Sequence, residues 1–168
     1  VSRGLARQES GDLEGALADY DLALDLDPDY ADAYNNRGIV YEALEQYEYA
    51  VVNYSAAIQR EPASALFYRN RAGVYQRLAQ SARAIADYTK AIELDPTYAD
   101  AYNERGIVYE ALEQPEDAIA DYSAAIEANP DEPLYYRNRG ALYKAQEDYE
   151  AAIDDYTSAI ALDETDAE

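Results

Sequence analysis

The chain has 168 residues, enough for one ordinary domain with a sizeable core. It contains no cysteine and no histidine, which excludes disulfides, thiolate metal sites, the usual zinc ligand and the commonest general base. A net charge of -22, from 13 basic and 35 acidic residues, repels nucleic-acid phosphates and anionic membranes.

The sequence contains neither an apolar run long enough to cross a bilayer nor an amino-terminal signal pattern. We therefore expect a soluble chain and favour the cytoplasm as its compartment. Because the chain begins at Val1 and not at methionine, an export signal removed by processing is the alternative.

In chain order, one skeleton of small and aromatic residues recurs at an interval of 34 residues. Its early small residue is Gly4, Gly38, Ala72, Gly106 and Gly140, and its later tyrosine is Tyr20, Tyr54, Tyr88, Tyr122 and Tyr156. A period between about 20 and 50 residues is typical of a stacked array and not of one closed core. We predict a single array over residues 1–168, with repeats at 1–28, 29–62, 63–96, 97–130 and 131–164.

Each repeat is predicted to contain two helices, as the fourth repeat illustrates. Small or aromatic residues lie at i, i+4 and i+7 in two successive segments, 102–109 and 118–125, as on one face of a helix. Pro115 suits the first turn of the second helix, and Pro130 prevents that helix from continuing. We expect Gly106 of the first helix to face Ala118 of the second where the two helices cross, because small residues allow close approach there.

The repeats differ at the ends of the chain and alternate between them. The first is partial, and Gly11 followed by Asp12 marks the end of one helix and the start of the next. The second and fourth repeats share RGIVYEALEQ, and the third and fifth share YRNR, so a larger period of 68 residues is superimposed. The fifth repeat has neither the closing proline nor an additional polar helix, which favours a piece of a longer array or, alternatively, two copies stacked end to end.

This pattern resembles the tetratricopeptide repeat (TPR) family. The eight signature positions correspond in the fourth repeat to Tyr102, Arg105, Gly106, Tyr109, Ala118, Tyr122, Ala125 and Pro130. Only Arg105 departs, since the family usually has leucine there. The resemblance covers almost the whole chain and implies an all-α, right-handed α-solenoid of stacked antiparallel helix hairpins, with about five repeats, the first truncated. The NRG and DY motifs resemble those of bacterial TPR arrays.

The arginine at this departing position lies on the core side of its helix, where an unpaired guanidinium would be very costly. In four repeats an aspartate follows it sixteen residues later, and we predict bidentate ion pairs between Arg3 and Asp19, Arg71 and Asp87, Arg105 and Asp121, and Arg139 and Asp155. The second repeat has Arg37 and Asn53 instead, so we expect it to hold its arginine more loosely. The functional alternative is that these arginines form a ladder for an acidic ligand.

The resemblance also implies that the first helices line a concave face that receives a ligand. The predicted partner-binding groove contains Asn35, Asn36, Ile39, Arg69, Asn70, Arg77, Asn103, Ile107, Arg137, Asn138 and Lys144. Amides can donate to and accept from a peptide backbone, and arginines can bind carboxylates. The alternative is a solvated surface without a partner. The dicarboxylate clamp of chaperone-binding members is not present, because Ile39 and Ile107 occupy positions where the clamp needs asparagine.

The leading hypothesis is a non-catalytic scaffold that binds a protein or an extended peptide, with acidic groups or a free carboxyl terminus favoured. No cofactor is predicted, and no metal site, because Pro28 interrupts the alternating aspartates 25, 27 and 29 of a calcium-loop pattern. The alternatives are a regulatory segment of a larger multidomain protein and self-association through uncapped array ends. We expect neither nucleic-acid binding nor membrane insertion.

Overall fold

The computed structural model describes residues 1–165, with side chains described as far as Asp163, and every regular element in that range is an α-helix. The helices are α1 (Ser2–Glu9), α2 (Leu13–Leu26), α3 (Ala31–Ala43), α4 (Tyr47–Arg60), α5 (Ala65–Arg77), α6 (Ser81–Leu94), α7 (Ala99–Ala111), α8 (Pro115–Ala128), α9 (Pro133–Ala145) and α10 (Tyr149–Thr165). The predicted all-α fold of about five helix hairpins is confirmed. Residues 166–168 of the predicted domain lie outside the described range, and the assignment of 1–168 to a single array stays a prediction.

The helices group into two compact units. The first unit is Val1–Leu94, which holds α1 to α6, and the second begins at Asp95 and holds α7 to α10. In each unit the two helices of a hairpin pack together, and the second helix also contacts the first helix of the following hairpin: α2 with α3 and α4 with α5 in the first unit, and α8 with α9 in the second.

A residue with a left-handed backbone ends the turn inside every hairpin. The five residues are Gly11 (φ 84°), Glu45 (φ 58°), Ala79 (φ 55°), Glu113 (φ 57°) and Glu147 (φ 64°), again at intervals of 34. Glycine adopts this conformation without steric cost, whereas the other side chains are strained in it. After the glycine, Asp12 caps α2 by accepting a hydrogen bond from the Gly15 amide at 3.0 Å, as the sequence predicted for this turn.

Tyrosine and alanine form the core of each hairpin. Tyr54 and Tyr122 are completely buried, together with Ala50 and Ala118 one turn before them. A Cβ built on Gly106 would lie 2.8 Å from Cε1 of Tyr122, so the tyrosine ring lies directly against this glycine, while the expected contact between Gly106 and Ala118 stays a prediction. The small residue therefore makes room for the tyrosine ring sixteen residues later, and the ring fills the crossing of the two helices.

Candidate functional site

An arginine–aspartate pair joins the two helices of four hairpins. In the fourth hairpin, Nε of Arg105 donates to Oδ2 of Asp121 at 2.8 Å and Nη2 donates to Oδ1 at 2.7 Å. The same two-point contact joins Arg3 to Asp19, Arg71 to Asp87 and Arg139 to Asp155. The hydrogen bond to Asp121 raises the pKa of the Arg105 guanidinium above its usual value. All four aspartates are buried, so these pairs are internal connections of the hairpins.

The same arginines also reach the preceding hairpin. Nη1 of Arg71, on α5, donates to the hydroxyl of Ser55, on α4, at 3.0 Å. Nη1 of Arg139, on α9, donates to the hydroxyl of Ser123, on α8, at 2.9 Å. Each of these guanidinium groups thus connects three helices, with one acceptor sixteen residues ahead and another sixteen residues behind. The sequence signal for the second acceptor is a short polar residue directly after the core tyrosine.

Arg37 corrects the expectation that the second repeat holds its arginine loosely. Nε of Arg37 donates to Oδ1 of Asn53 at 2.7 Å, and Nη1 donates to Oδ1 of Asp21, on α2, at 2.6 Å. Its side chain is 21% exposed, close to the 18% of Arg71. The carboxylate that pairs with Arg37 thus lies sixteen residues before it, at Asp21, and not sixteen residues after it. The ion pair therefore joins two hairpins and does not lie within one.

The predicted groove residues of the first unit lie on neighbouring first helices, α3 and α5. Nδ2 of Asn70 donates to Oδ1 of Asn35 at 2.9 Å, which links the two helices. Asn35 is only 4% exposed, so it positions Asn70 and is not itself accessible to a ligand. Its own Nδ2 lies 3.5 Å from Oδ1 of Asn36, at the outer limit of a hydrogen bond.

A pocket of about 430 Å³ opens on this surface. Ile39, Arg69, Asn70 and Arg77 line it together with Glu42 and Tyr47. Nε of Arg77 donates to Oε1 of Glu42 at 3.2 Å, a second link between α5 and α3. Sequence reasoning missed Glu42, although it lies one helical turn after Ile39 and recurs as Glu110 in the second unit.

A buried tyrosine fixes the orientation of that glutamate. The hydroxyl of Tyr54 donates to Oε2 of Glu42 at 3.0 Å, and the hydroxyl of Tyr122 donates to Oε2 of Glu110 at 2.9 Å. The pKa of both tyrosines lies well above the usual value, mainly because the phenols are buried and secondly because each has a carboxylate beside it. Both phenols therefore remain neutral donors at ordinary pH.

The second unit repeats part of this arrangement. Nδ2 of Asn138 donates to Oδ1 of Asn103 at 2.8 Å, and Asn103 is 5% exposed, so this pair matches Asn70 and Asn35. The hydroxyl of Tyr135 adds a bond of 2.7 Å to Oδ1 of Asp100. The remaining predicted groove residues are also on α7 and α9: Ile107 is half-buried, Lys144 is exposed, and Arg137 is exposed and bonded to Asp163 at 2.8 Å.

The described residues contain no cluster of three or more carboxylate, histidine or cysteine side chains placed to hold a metal ion. None of the described helices is long and apolar enough to span a bilayer.

Paired helices that repeat every 34 residues, with small residues at the crossings and polar side chains along the first helices, define a helical-repeat interaction module. The sequence profile described as Tetratricopeptide repeat matches residues 31–64, 99–132 and 133–166, and one described as TPR repeat matches 4–45 and 80–113. The chain belongs to the TPR family. It carries the fold that this family uses for protein interaction.

Several solved structures share this fold. A crystal structure of MamA has a TM-score of 0.89 and 24% identity, covering 98% of this chain and 96% of that one. YrrB, described as a TPR protein with an unusual peptide-binding site, has a TM-score of 0.76 and 26% identity, with 96% and 84% coverage. PilF from Pseudomonas aeruginosa has a TM-score of 0.87 and 20% identity, with 95% and 73% coverage. No curated protein sequence matches the chain.

Proposed function

We propose that the chain is a non-catalytic scaffold that binds a peptide or an extended segment of a protein across its first helices. The observation that supports this most is the pair of bonds that place first helices side by side, from Asn70 to Asn35 and from Asn138 to Asn103. Adjacent first helices provide one continuous surface in each unit for an extended ligand. YrrB, a relative in fold, is described by its peptide-binding site, which favours the same class of ligand here.

The chemistry of the surface favours hydrogen bonding to a peptide backbone. Asn70 and Asn138 each donate inward through Nδ2, which leaves the amide Oδ1 as the acceptor directed to a ligand N–H. Half-buried Ile39 and Ile107 supply apolar contacts beside these amides. Such alternation of backbone hydrogen bonds and side-chain contacts is a common mode of peptide recognition. Arg69, Arg77, Arg137 and Lys144 favour acidic groups in the ligand.

Peptide display tests the proposal directly. A random peptide library is selected on the immobilised chain, and recovered peptides are then measured against a variant with Arg69→Glu and Arg137→Glu. The control variant, Arg83→Glu with Lys90→Glu, makes the same charge change on α6, outside the first helices. We expect the first variant to lose at least about tenfold in affinity and the control to lose less than about twofold. No selected peptide, or equal losses in both variants, would exclude the proposed surface.

A further inference from the structure

We infer that one face of α10 binds a basic amphipathic helix of another protein, in the way that α9 packs on α8. This α10 face consists of Ile153, Thr157 and Ile160, which are spaced i, i+4 and i+7 and so form one stripe along the helix. Ile153 is 63% exposed, Ile160 is 59% exposed, and Thr157 is exposed as well. The stripe lies on the second helix of a hairpin, so it is separate from the peptide-binding surface proposed for the first helices.

Helix α8 shows how such a stripe is covered, because it carries the same one 34 residues earlier. Its members are Ile119, Ser123 and Ile126. Helix α9 packs on the two isoleucines: Ile119 contacts the hydrophobic cluster that contains Leu142, and Ile126 contacts the cluster that contains Tyr135. The apolar ends of the stripe thus receive an aliphatic side chain and an aromatic one.

Between these two contacts, a hydroxyl of α8 receives an arginine of α9. Oγ of Ser123 donates to the carbonyl of Ile119 at 2.7 Å and accepts from Nη1 of Arg139 at 2.9 Å. On α10, Oγ1 of Thr157 donates to the carbonyl of Ile153 at 2.7 Å. The threonine proton is therefore used in the same way as that of Ser123, and the lone pairs of the hydroxyl remain as acceptors for a guanidinium.

The first unit covers α4 with α5 by the same three kinds of contact. They join Ile58 to Phe67, Ser55 to Arg71, and Val51 to Val74. The covering helix therefore follows one pattern: an aromatic residue, an arginine four positions later and an aliphatic residue three positions after that. A partner helix with this pattern would make all three contacts on the α10 face.

The charge around the stripe favours a basic helix. Helix α10 contains no lysine or arginine, and its Glu150 and Asp154 are exposed. Asp154 precedes Thr157 by three residues and so lies next to it on the helix surface. Its carboxylate supplies the opposite charge for an arginine that binds the Thr157 hydroxyl. Such charge complementarity selects a basic helix over an acidic one.

A second copy of the chain fits this face poorly. Each copy carries a net charge of -22, so two copies repel one another. Its α1 offers an exposed arginine, Arg3, but Ala6 stands three residues later, where α9 has Leu142. An alanine gives Ile153 much less apolar contact than a leucine does. The occupant is therefore a helix of a different protein.

The experiment is an NMR titration of the whole chain with alanine-rich peptides. The probe is acetyl-AEYAKARAALKAAK-amide, which has tyrosine, arginine and leucine at the spacing of the covering helices. Two further peptides have Gln or Glu in place of the arginine. Circular dichroism checks that all three peptides are helical.

Two variants of the chain separate the polar contact from the apolar one. The double variant Asp154→Asn with Thr157→Val removes the carboxylate and the hydroxyl with little change of shape. The variant Ile153→Ser removes an apolar contact and leaves both polar groups in place.

Each variant has a matched control. Glu127→Gln with Ser158→Ala removes one exposed carboxylate of α8 and one hydroxyl of α10 that are not members of the stripe. Val52→Ser changes a similarly exposed aliphatic residue on α4. Thermal melts confirm that the variants and the controls fold.

We expect the Arg peptide to bind at least about fivefold more tightly than the Gln peptide, and the Glu peptide to bind most weakly. The double variant should remove the preference for Arg over Gln. Ile153→Ser should weaken binding of the Arg peptide at least about fivefold, and both controls should change it by less than about twofold.

Four results would overturn the inference: no binding of the Arg peptide, equal binding of the Arg and Gln peptides, binding that survives Ile153→Ser, or a loss of the same size in a control. Sedimentation at several concentrations tests the other occupant. If the unchanged chain self-associates and Ile153→Ser makes it monomeric, a second copy covers the α10 face and the inference is wrong. Because display-selected peptides report on the first helices, failure here leaves the proposed function standing.

Discussion

The arginine network can be tested by moving a carboxylate from one helix to another. In the third hairpin, Arg71 donates to Asp87 at 2.7 and 2.8 Å and to the Ser55 hydroxyl at 3.0 Å. In the second hairpin, Arg37 has an asparagine ahead and Asp21 behind. Asp87→Asn therefore gives the third hairpin the uncharged acceptor that the second hairpin has sixteen residues after its arginine. Adding Ser55→Asp gives it the carboxylate that the second hairpin has sixteen residues before its arginine.

The magnitude follows from the groups that are lost. Removing one partner of a buried ion pair typically costs roughly 3–5 kcal/mol, because the other charge is left uncompensated. Asparagine keeps one oxygen acceptor for the arginine, as Asn53 does for Arg37 at 2.7 Å. The loss in Asp87→Asn is then one charge-assisted hydrogen bond and the opposite charge, about 2 kcal/mol in the free energy of unfolding. We expect Ser55→Asp to restore about half of it or more.

Urea unfolding followed by circular dichroism gives the free energies, and hydrogen exchange of residues 65–94 shows whether the change is local to the third hairpin. Local measurement matters because repeat arrays lose stability repeat by repeat. The control is Asp25→Asn, which neutralises an exposed carboxylate in the same unit and is expected to change stability by less than about 0.5 kcal/mol. A loss that Ser55→Asp does not reduce, or no loss in Asp87→Asn, would refute the idea that the network needs one carboxylate per arginine.

Three further changes test other features. Ala79→Gly removes the steric strain of a non-glycine residue at φ 55° and should raise the free energy of unfolding, measured from urea curves, by about 0.5 kcal/mol. The same change at Ala161, which is helical and exposed, is the control and should lower that free energy by up to about 1 kcal/mol. Burial raises the pKa of Tyr122, so the folded chain keeps a proton that the unfolded chain loses near about pH 10. Stability from this group is therefore complete below that pH and falls as pH rises above it. The urea midpoint should then fall less steeply above that pH in Tyr122→Phe than in the unchanged chain, and equal slopes would contradict the prediction. Glu42→Gln removes the carboxylate that accepts from both Tyr54 and Arg77 and should lower the free energy of unfolding by about 1 kcal/mol, read from the same urea curves; an unchanged value would contradict a role of Glu42 in joining α3 to α4 and α5.

The fold was accessible from the sequence because its determinants are local and periodic. A small residue returns every 34 residues, and a tyrosine follows it by sixteen each time, so both helices and their crossing are specified within one repeat. Helical spacing places Gly106 and Ala118 on inward faces, and the structure adds that the ring of Tyr122 lies directly against Gly106.

The candidate site was less predictable because its contacts join different repeats. The groove positions taken from the family resemblance identify the helix face but not the depth of each side chain. Asn35 and Asn103 occupy such positions and are nevertheless buried, since each accepts a bond from the asparagine 35 residues later. The left-handed backbone at Glu45 and Ala79 likewise could not be predicted from the residue types, because neither is glycine. Only their spacing of 34 residues from Gly11 and from each other points to it.

The asparagine that distinguishes the second repeat from the others has a physical explanation once the second acceptor of its arginine is known. An arginine that connects three helices ties its hairpin to the preceding one, so the residue after the core tyrosine affects the neighbouring repeat as well as its own. Asp21 in the first repeat permits Asn53 in the second, because Arg37 still meets one carboxylate. Ser55 in the second repeat, by contrast, carries no charge, and Arg71 meets its carboxylate at Asp87 in the third. We therefore expect changes at these positions to be coupled between adjacent repeats: Asp21→Ser alone would leave Arg37 without a carboxylate, and Ser55→Asp alone would place two carboxylates beside Arg71.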